Sequence, residues 1–373
     1  MSDQVRIGMI GVGQIGKRHV QGYLGEPGGP KAIPDANIVA ICDVNEAEAR
    51  RVAELYGVKD VYTDYKELLK RDDIQSVDVA LHNRFHMPVT VDALEAGKNV
   101  YCEKPMSWAY REAVRMYETA KATGKMLHIQ LGTLYATEAK AAKRLIDEGR
   151  LGDIYFAKSV HYRRRGRPWV DGYGSPAFVN TATSGGGAML DMAVYHIARI
   201  VWLLGNPEVV SVSGKTYQKI DMYADRRESG RYNVEELGMG FIRMANDIVF
   251  SMEESWAIHA KDPNEDRVYG SKAGLRVEPL EYYTTMSDLE LDGQFDLRAA
   301  EFRWLMCDPT YQYYANSQVH WIAAQQGKVP LLDTAGVALK TALISEGIYL
   351  SNMLGREVTM DEIAAADADT YRL

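Results

Sequence analysis

The chain has 373 residues, 46% of them hydrophobic and 25% charged, a composition of ordinary globular proteins at a length too great for one typical core. Its formal charge of -8 argues against a nucleic-acid or anionic-membrane partner. The most apolar long window, residues 187–205, carries Asp191, His196 and Arg199 and does not read as a membrane span. Residues 1–4 run straight into a strand with no room for a signal peptide. The three scattered cysteines form no Cys-x-x-Cys pair, so neither a metal site nor a redox pair is expected. The expectation is a cytoplasmic protein of two domains.

From residue 5 to about 130, short β-rich runs alternate with helical stretches. Strands are predicted at 5–10, 37–42, 76–81, 99–102 and 126–129, and helices at 15–24, 46–56, 65–70, 88–95 and 110–123. Such alternation means βαβ units and a parallel sheet. An amphipathic helix at 137–148 bridges to longer strand-like runs at 153–162, 208–217, 235–244, 247–256 and 267–269, followed by helices at 311–326 and 334–354. The fold class is therefore α/β: a Rossmann domain over 1–130, then an α+β domain over 131–373 with a large, open, mainly antiparallel sheet. The last helix is expected to be free to pack back on the first domain. Residues 163–184, rich in Gly, Pro and aromatics, and the charged stretch 221–233 have no assignment; a loop of the first kind is usually functional or mobile.

The first strand leads into Gly11-Val12-Gly13-Gln14-Ile15-Gly16 and a helix follows, which turns a weak motif into a dinucleotide fingerprint. Gly11 allows the tight turn, Gly13 lets the backbone approach a pyrophosphate, and Gly16 packs helix on strand; Gln14 and Ile15 complete the loop. The phosphates would rest on the helix N-terminus, where unpaired N–H groups and the dipole favour negative charge. Asp43 closes the second strand, where a carboxylate accepts from the ribose hydroxyls and repels a 2′-phosphate, so NAD is favoured over NADP. Its distance from the glycines exceeds the usual ~20 residues, and the Gly- and Pro-rich insertion 26–34 accounts for the excess. The alternative for Asp43 is a plain helix N-cap. Asn83 and His86 follow the strand at 76–81 and border the nicotinamide side on this fold, with a structural role for His86 as the alternative. Glu103-Lys104-Pro105 ends the strand at 99–102, at the carboxyl edge where open α/β sheets bind ligands.

The order GVGQIG, CD at 42–43, HNRFH, EKP and GGGAMLDMAVYH resembles the Gfo/Idh/MocA oxidoreductases over nearly the whole chain. The resemblance implies hydride transfer between a nicotinamide and a sugar, polyol or related carbonyl compound, and an open sheet used for oligomer contacts, hence a homo-oligomer, dimer or tetramer. It maps the family's catalytic lysine onto Lys104, with Glu103 beside the cofactor, and its aspartate onto Asp191. Many members carry a histidine four residues after that aspartate; here the fourth residue is Tyr195 and His196 comes next. Tyrosine at this place is similar to the glucose–fructose oxidoreductase and dihydrodiol dehydrogenase branch. On a continuous helix Tyr195 would share a face with Asp191, and a later helix start would let His196 turn inward. A phenol, with its ordinary pKa of about 10, needs a nearby cation to act as a base at neutral pH.

On the substrate side, Arg163, Trp169 and Tyr173 are candidates for anion binding and sugar stacking, with an oligomer-contact arm as the alternative, and the resemblance adds Tyr135. The partner expected is a small sugar or glycoside. Two other functions share these residues: an NAD-dependent glycosidase working through a transient 3-keto sugar and elimination, and a non-catalytic NAD-sensing regulator, which would need neither Lys104 nor Asp191.

Overall fold

The alternating runs of the first third fold, in a computed structural model that describes residues 4–26, 29, 31–261 and 264–370, into a parallel sheet. Residues 1–3 and part of the 26–34 insertion lie outside the described residues. The chain divides into two units, the first made of residues up to 107, 112–130 and 308–335, the second of 108–111, 131–307 and 336 onward.

In the first unit, among the described residues, β1 (Val5–Ile10), β2 (Ala36–Cys42), β3 (Asp60–Tyr62), β4 (Ser76–Val79), β5 (Asn99–Cys102) and β6 (Leu127–Ile129) form a sheet in the order β3-β2-β1-β4-β5-β6. Every pairing is parallel. The order reverses between β1 and β4, and at such a switch point the carboxyl ends of the strands open a crevice for ligands. Strands buried on both faces read as apolar runs, as Ile7, Met9, Val77, Val79 and Val100 do here. One core joins Ile7, Met9, Val20, Tyr23, Ile41 and Tyr101 to Trp321 and Ile322 of the Ser317–Gln325 helix. Trp321 is fully buried, which contributes about 1.5–3 kcal/mol for a large apolar side chain. The Tyr101 hydroxyl donates to Ser317 Oγ at 2.9 Å. These contacts explain why residues 308–335, placed by the sequence reading in the second domain, belong to the first unit.

The fourth helix spans Asn83–Glu95, whereas the pattern predicts a start at Pro88. Proline is most at home in a first turn; here it stands inside the helix, with no amide to give to the preceding turn.

The second unit carries β7 (Ile154–Tyr162), β8 (Val209–Tyr217), β9 (Leu237–Met244), β10 (Ile248–Ser255), β11 (Glu265–Gly270), β12 (Ala273–Arg276), β13 (Glu281–Met286), β14 (Leu289–Gln294) and β15 (Val358–Thr359). Among the described residues they form one sheet ordered β14-β13-β12-β11-β7-β10-β9-β8-β15. β7 and β10 pair in parallel and the other pairings are antiparallel, so the sheet is mainly antiparallel as expected. The Thr334–Leu354 helix, from residue 336 onward, packs on this unit's own sheet: Ser351 Oγ accepts from the Gly214 amide at 2.9 Å, and Lys340 Nζ pairs with Glu208 at 2.8 Å. The segment 221–233 contains a short helix, Ala224–Gly230. No helix of the described residues is long and apolar enough to cross a membrane.

Candidate functional site

The glycine loop follows β1, and its three glycines have different physical reasons. Gly11 has φ +93°, a left-handed conformation that glycine adopts without steric cost. A Cβ on Gly16 would lie 2.1 Å from the Gly11 carbonyl oxygen, so helix and loop touch backbone to backbone. A Cβ on Gly13 would meet nothing within 4 Å. The protein itself therefore gives no reason for glycine at 13, and the open space there fits a pyrophosphate seated against the backbone. Gly13 is also the N-cap of the Gln14–Leu24 helix and supplies no side chain to its first-turn N–H groups. Those donors and the helix dipole suit an anion. Gly13, Gln14 and Ile15 are all exposed.

Asp43 stands just past β2. Its Oδ2 accepts from the Val12 amide at 2.9 Å and its Oδ1 from the Asn45 amide at 2.9 Å. The cap of the Glu46–Tyr56 helix is Asn45, whose side chain accepts from Glu48 N, so Asp43 is not a plain N-cap. A carboxylate has about four lone-pair sites, and the two bonds above leave capacity for ribose hydroxyls. The residues present thus fit an adenine dinucleotide without a 2′-phosphate.

Lys104 follows β5 in a cis Lys104–Pro105 turn and is half-buried. Its amide donates to Glu103 Oε2 at 2.8 Å. His86 is fully buried, with Nδ1 2.7 Å from the Pro105 carbonyl and Nε2 3.0 Å from the Leu81 carbonyl. It buttresses the turn from inside, the structural alternative weighed for it. Asn83 is half-buried and begins the helix that carries His86.

In the second unit the glycines 185–187 lead into two short helices, Ala188–Asp191 and Ala193–Leu203, broken at Met192. Glu235 fixes this entry: its carboxylate accepts from the Gly187 and Met189 amides, each at 2.9 Å, and from the Tyr349 hydroxyl at 2.7 Å. A Cβ on Gly187 would lie 2.0 Å from the Glu235 carbonyl oxygen, which is why the approach needs glycine. Asp191 accepts from the Trp256 indole at 3.2 Å. The break at Met192 means that neither simple helical case relates Asp191 to Tyr195 and His196. His196 turns to the sheet instead: its Nδ1 lies 2.6 Å from Glu254 Oε2 on β10, and its ring stacks on His161 of β7. Burial holds the His196 imidazole down to about 4 and pushes the Glu254 carboxyl well above its ordinary value. His161 and Arg199 both bond Asp266, which burial alone would raise but these partners hold low. Tyr195 is half-buried and its carbonyl accepts from Thr133 Oγ1 at 3.1 Å.

The arginine-rich arm divides by role. Arg167 is fully buried, bonded to Asp171, Glu236 and the carbonyls of Ile220 and Asp221, and anchors the loop. Arg163 instead donates to the Tyr173 hydroxyl at 2.8 Å, and its other terminal nitrogen lies 3.1 Å from Met192 Sδ. Arg163 and Tyr173 are thus gathered next to the segment that bears Asp191. The Trp169 ring is committed elsewhere: the Arg226 guanidinium lies 4.6 Å from its centroid and its indole N–H points at the Arg226 carbonyl, 3.2 Å away. Tyr135 is buried in the turn Gly132–Tyr135.

Sequence reasoning passed over His19, Asp78, Glu254 and Trp256. A signal was present for Asp78, a carboxylate in a short strand that is buried throughout, and a buried charge has a partner.

Residues 5–131 match the profile of an oxidoreductase family with an NAD-binding Rossmann fold, and residues 139–276 match the GFO/IDH/MocA C-terminal domain. A D-glucoside 3-dehydrogenase of Escherichia coli (strain K12) is 31% identical over 291 residues, 76% of this chain and 80% of the relative. A levoglucosan dehydrogenase of Pseudarthrobacter phenanthrenivorans is 27% identical over 276 residues, 69% of each chain. Among solved structures, a levoglucosan dehydrogenase in complex with NADH superposes with a TM-score of 0.80 at 22% identity, covering 96% of this chain and 99% of that one. GenD2 from gentamicin A biosynthesis, in complex with NAD, gives 0.73 at 21% identity and 96% coverage of each.

Proposed function

The chain belongs to the Gfo/Idh/MocA oxidoreductases, and we propose that it is an NAD-dependent dehydrogenase of a secondary hydroxyl on a sugar or glycoside. The observation that carries this reading is Lys104, just past the carboxyl end of β5 in the sheet that bears the glycine loop. NAD, when bound, supplies the hydride acceptor. Gly11, Gly13 and the first turn of the Gln14–Leu24 helix hold its pyrophosphate, and Asp43 holds the adenosine ribose and disfavours NADP.

Oxidising an alcohol requires the hydroxyl proton to leave as hydride departs. Lys104 hydrogen-bonds that hydroxyl and holds the developing negative charge at Nζ. Tyr195 is the residue assigned to take the proton, a role a phenol fills at neutral pH only where a positive charge makes it more acidic. Acid–base participation of this kind is typically worth about 10²–10⁴-fold. His196 is the less favoured acid–base group because its Nδ1 is engaged by Glu254 and its ring by His161. Asp191 orients the substrate, and Arg163 with Tyr173 contacts it. The relative named as a D-glucoside 3-dehydrogenase makes glucosides the first substrates to try.

The test is NADH formation from a panel of glucosides, free sugars and inositols. Lys104→Met is expected to bind NAD and lose turnover, and Tyr195→Phe to lose more activity than His196→Gln. Full turnover by Lys104→Met would overturn the role of the lysine. Release of an aglycone without net NADH would assign the chain to the internally recycling glycosidases, and NAD binding with no turnover on the whole panel to a sensor.

A further inference from the structure

His19 lies in the second turn of the helix that follows the glycine loop and is buried. Its Nδ1 is 2.8 Å from Asp78 Oδ1 on β4, and its Nε2 is 3.0 Å from Glu103 Oε1, just past β5. A neutral imidazole has one N–H and one lone pair. Facing a carboxylate on each side, it would set its lone pair against those of one oxygen. Glu103 is an acceptor on both of its oxygens, since Oε2 takes the Lys104 amide. The arrangement is satisfied when both ring nitrogens carry protons.

The surrounding charges agree with this. Burial opposes a charge on His19, but Asp78 and Glu103 override it and raise the imidazole to about 10. Burial likewise opposes the Glu103 carboxylate, and His19, then Lys104 and His86, hold it below its ordinary range. The Tyr101 ring meets His19 edge-on at 5.5 Å, Tyr23 of the same helix meets Tyr101 in turn, and Gln318 donates to the His19 carbonyl at 3.0 Å. Among these groups the charges that meet the ring are the two carboxylates. On the far side of the same turn His86 holds the Pro105 carbonyl at 2.7 Å.

We propose that His19 is a positioning residue for Lys104: an imidazolium that bridges Asp78 and Glu103 and locks the Glu103-Lys104-Pro105 turn to the helix that opens on the glycine loop. The cofactor loop and the acid–base lysine are then held in one register by a single buried cation. This rests on the reading of Lys104 as the acid–base group, and the experiment separates the two. A displaced catalytic group commonly costs about a hundredfold, so His19→Gln and Glu103→Gln are each expected to lower kcat by about that factor while NAD still binds. The double variant is expected to be no worse than either single one, because the two act as a unit. The alkaline limb of the kcat/KM profile is expected to move in both single variants.

The full-length wild-type protein, labelled with ¹⁵N-histidine, supplies a readout independent of turnover. At about pH 8, where an ordinary histidine is neutral, one histidine is expected to show both ring nitrogens protonated, and that signal is expected to vanish in His19→Gln. A neutral ring for His19 at that pH would overturn the bridge. An intact imidazolium signal with unchanged kcat and pH profile in both single variants would overturn the positioning role. Full turnover by Lys104→Met would overturn the reading of the lysine instead, with the imidazolium signal still present.

Discussion

His196 lies flat on His161, ring centroids 3.5 Å apart and planes 9° from parallel. Two imidazolium rings so close would repel, and the carboxylates around them decide where protons go. His161 faces Asp266, and His196 faces Glu254 at 2.6 Å. Burial lowers the basicity of His196 to about 4 and raises the Glu254 carboxyl well above its ordinary value, so it disfavours charge on both, and a proton on Glu254 donated to Nδ1 satisfies the 2.6 Å contact. The sign of the pH dependence follows. Glu254 has a folded pKa above its unfolded one, so its contribution to stability is full below about 4.5 and is lost as pH rises through the folded value. His196 is the reverse, contributing fully above about 6.5 and losing that contribution as pH falls toward 4. Glu254→Gln keeps a donor to Nδ1 and removes the alkaline loss. At about pH 6 its stability should lie within about 1 kcal/mol of wild type, with the difference moving in the variant's favour toward about pH 9. Urea denaturation of both proteins at the two pH values measures it, and a difference that stays flat would place the proton elsewhere.

Gly13 and Gly16 should part company when each becomes alanine. At Gly16 the new methyl meets the Gly11 carbonyl oxygen at 2.1 Å, a backbone clash that only a shift of the helix relieves. Overpacking of this kind costs about 1–3 kcal/mol or more, seen as a lower Tm. At Gly13 the methyl meets nothing, and the residue's φ of -63° suits alanine. Gly13→Ala should melt with wild type yet bind NAD at least about tenfold more weakly, a loss of about 1.4 kcal/mol. Calorimetric binding and thermal melting of both variants check the contrast; wild-type NAD affinity in Gly13→Ala would show that the open space is not the phosphate seat.

Five strands of the first sheet were readable because each is a β-rich run closed by a turn or helix signal, and the glycine loop, Asp43 and Lys104 could be placed from those strand ends alone; β3, three residues that begin on an exposed aspartate, was missed. What escaped had no local signal. The β13–β14 hairpin turns at Ser287 and Asp288, both at positive φ without a glycine, and β14 is exposed along most of its length, so neither turn chemistry nor alternation marked it. The buried polar clusters escaped for another reason. His19 meets Asp78 and Glu103 across 59 and 84 residues of sequence, and no spacing rule connects them. The arginine run 163–167 looked uniform in sequence, yet one member is a core anchor and another lies beside Tyr173.

That core anchor, Arg167, leads to a stability prediction. Its guanidinium has no exposed surface and joins Asp171 to Glu236, whose second oxygen accepts from the Lys219 and Ile220 amides. Burial works against the Asp171 carboxylate, and Arg167 nonetheless holds it below its ordinary range. Arg167→Met would leave Glu236 without the buried cation and Asp171 with only the exposed Arg165 at 3.6 Å, a loss of about 3–5 kcal/mol. Urea denaturation should show that drop. Arg165→Met, at an exposed side chain 3.6 Å from Asp171, should change stability by less than about 1 kcal/mol.

Asp43 joins structure and cofactor choice in one side chain. Its Oδ2 closes the glycine loop through Val12, so replacing it by alanine removes a loop contact as well as a ribose acceptor. Asp43→Asn keeps an oxygen for the Val12 amide and removes the negative charge that would repel a 2′-phosphate. NAD affinity of Asp43→Asn should therefore fall by about tenfold, one lost charge-assisted hydrogen bond, while NADP affinity rises. Asp43→Ala should lose affinity for both cofactors, because the loop itself is loosened. Fluorescence titration of the three proteins with NADH and NADPH distinguishes these cases. Equal losses for both cofactors in Asp43→Asn would mean that the carboxylate serves the loop alone, and that discrimination against the 2′-phosphate lies in other residues.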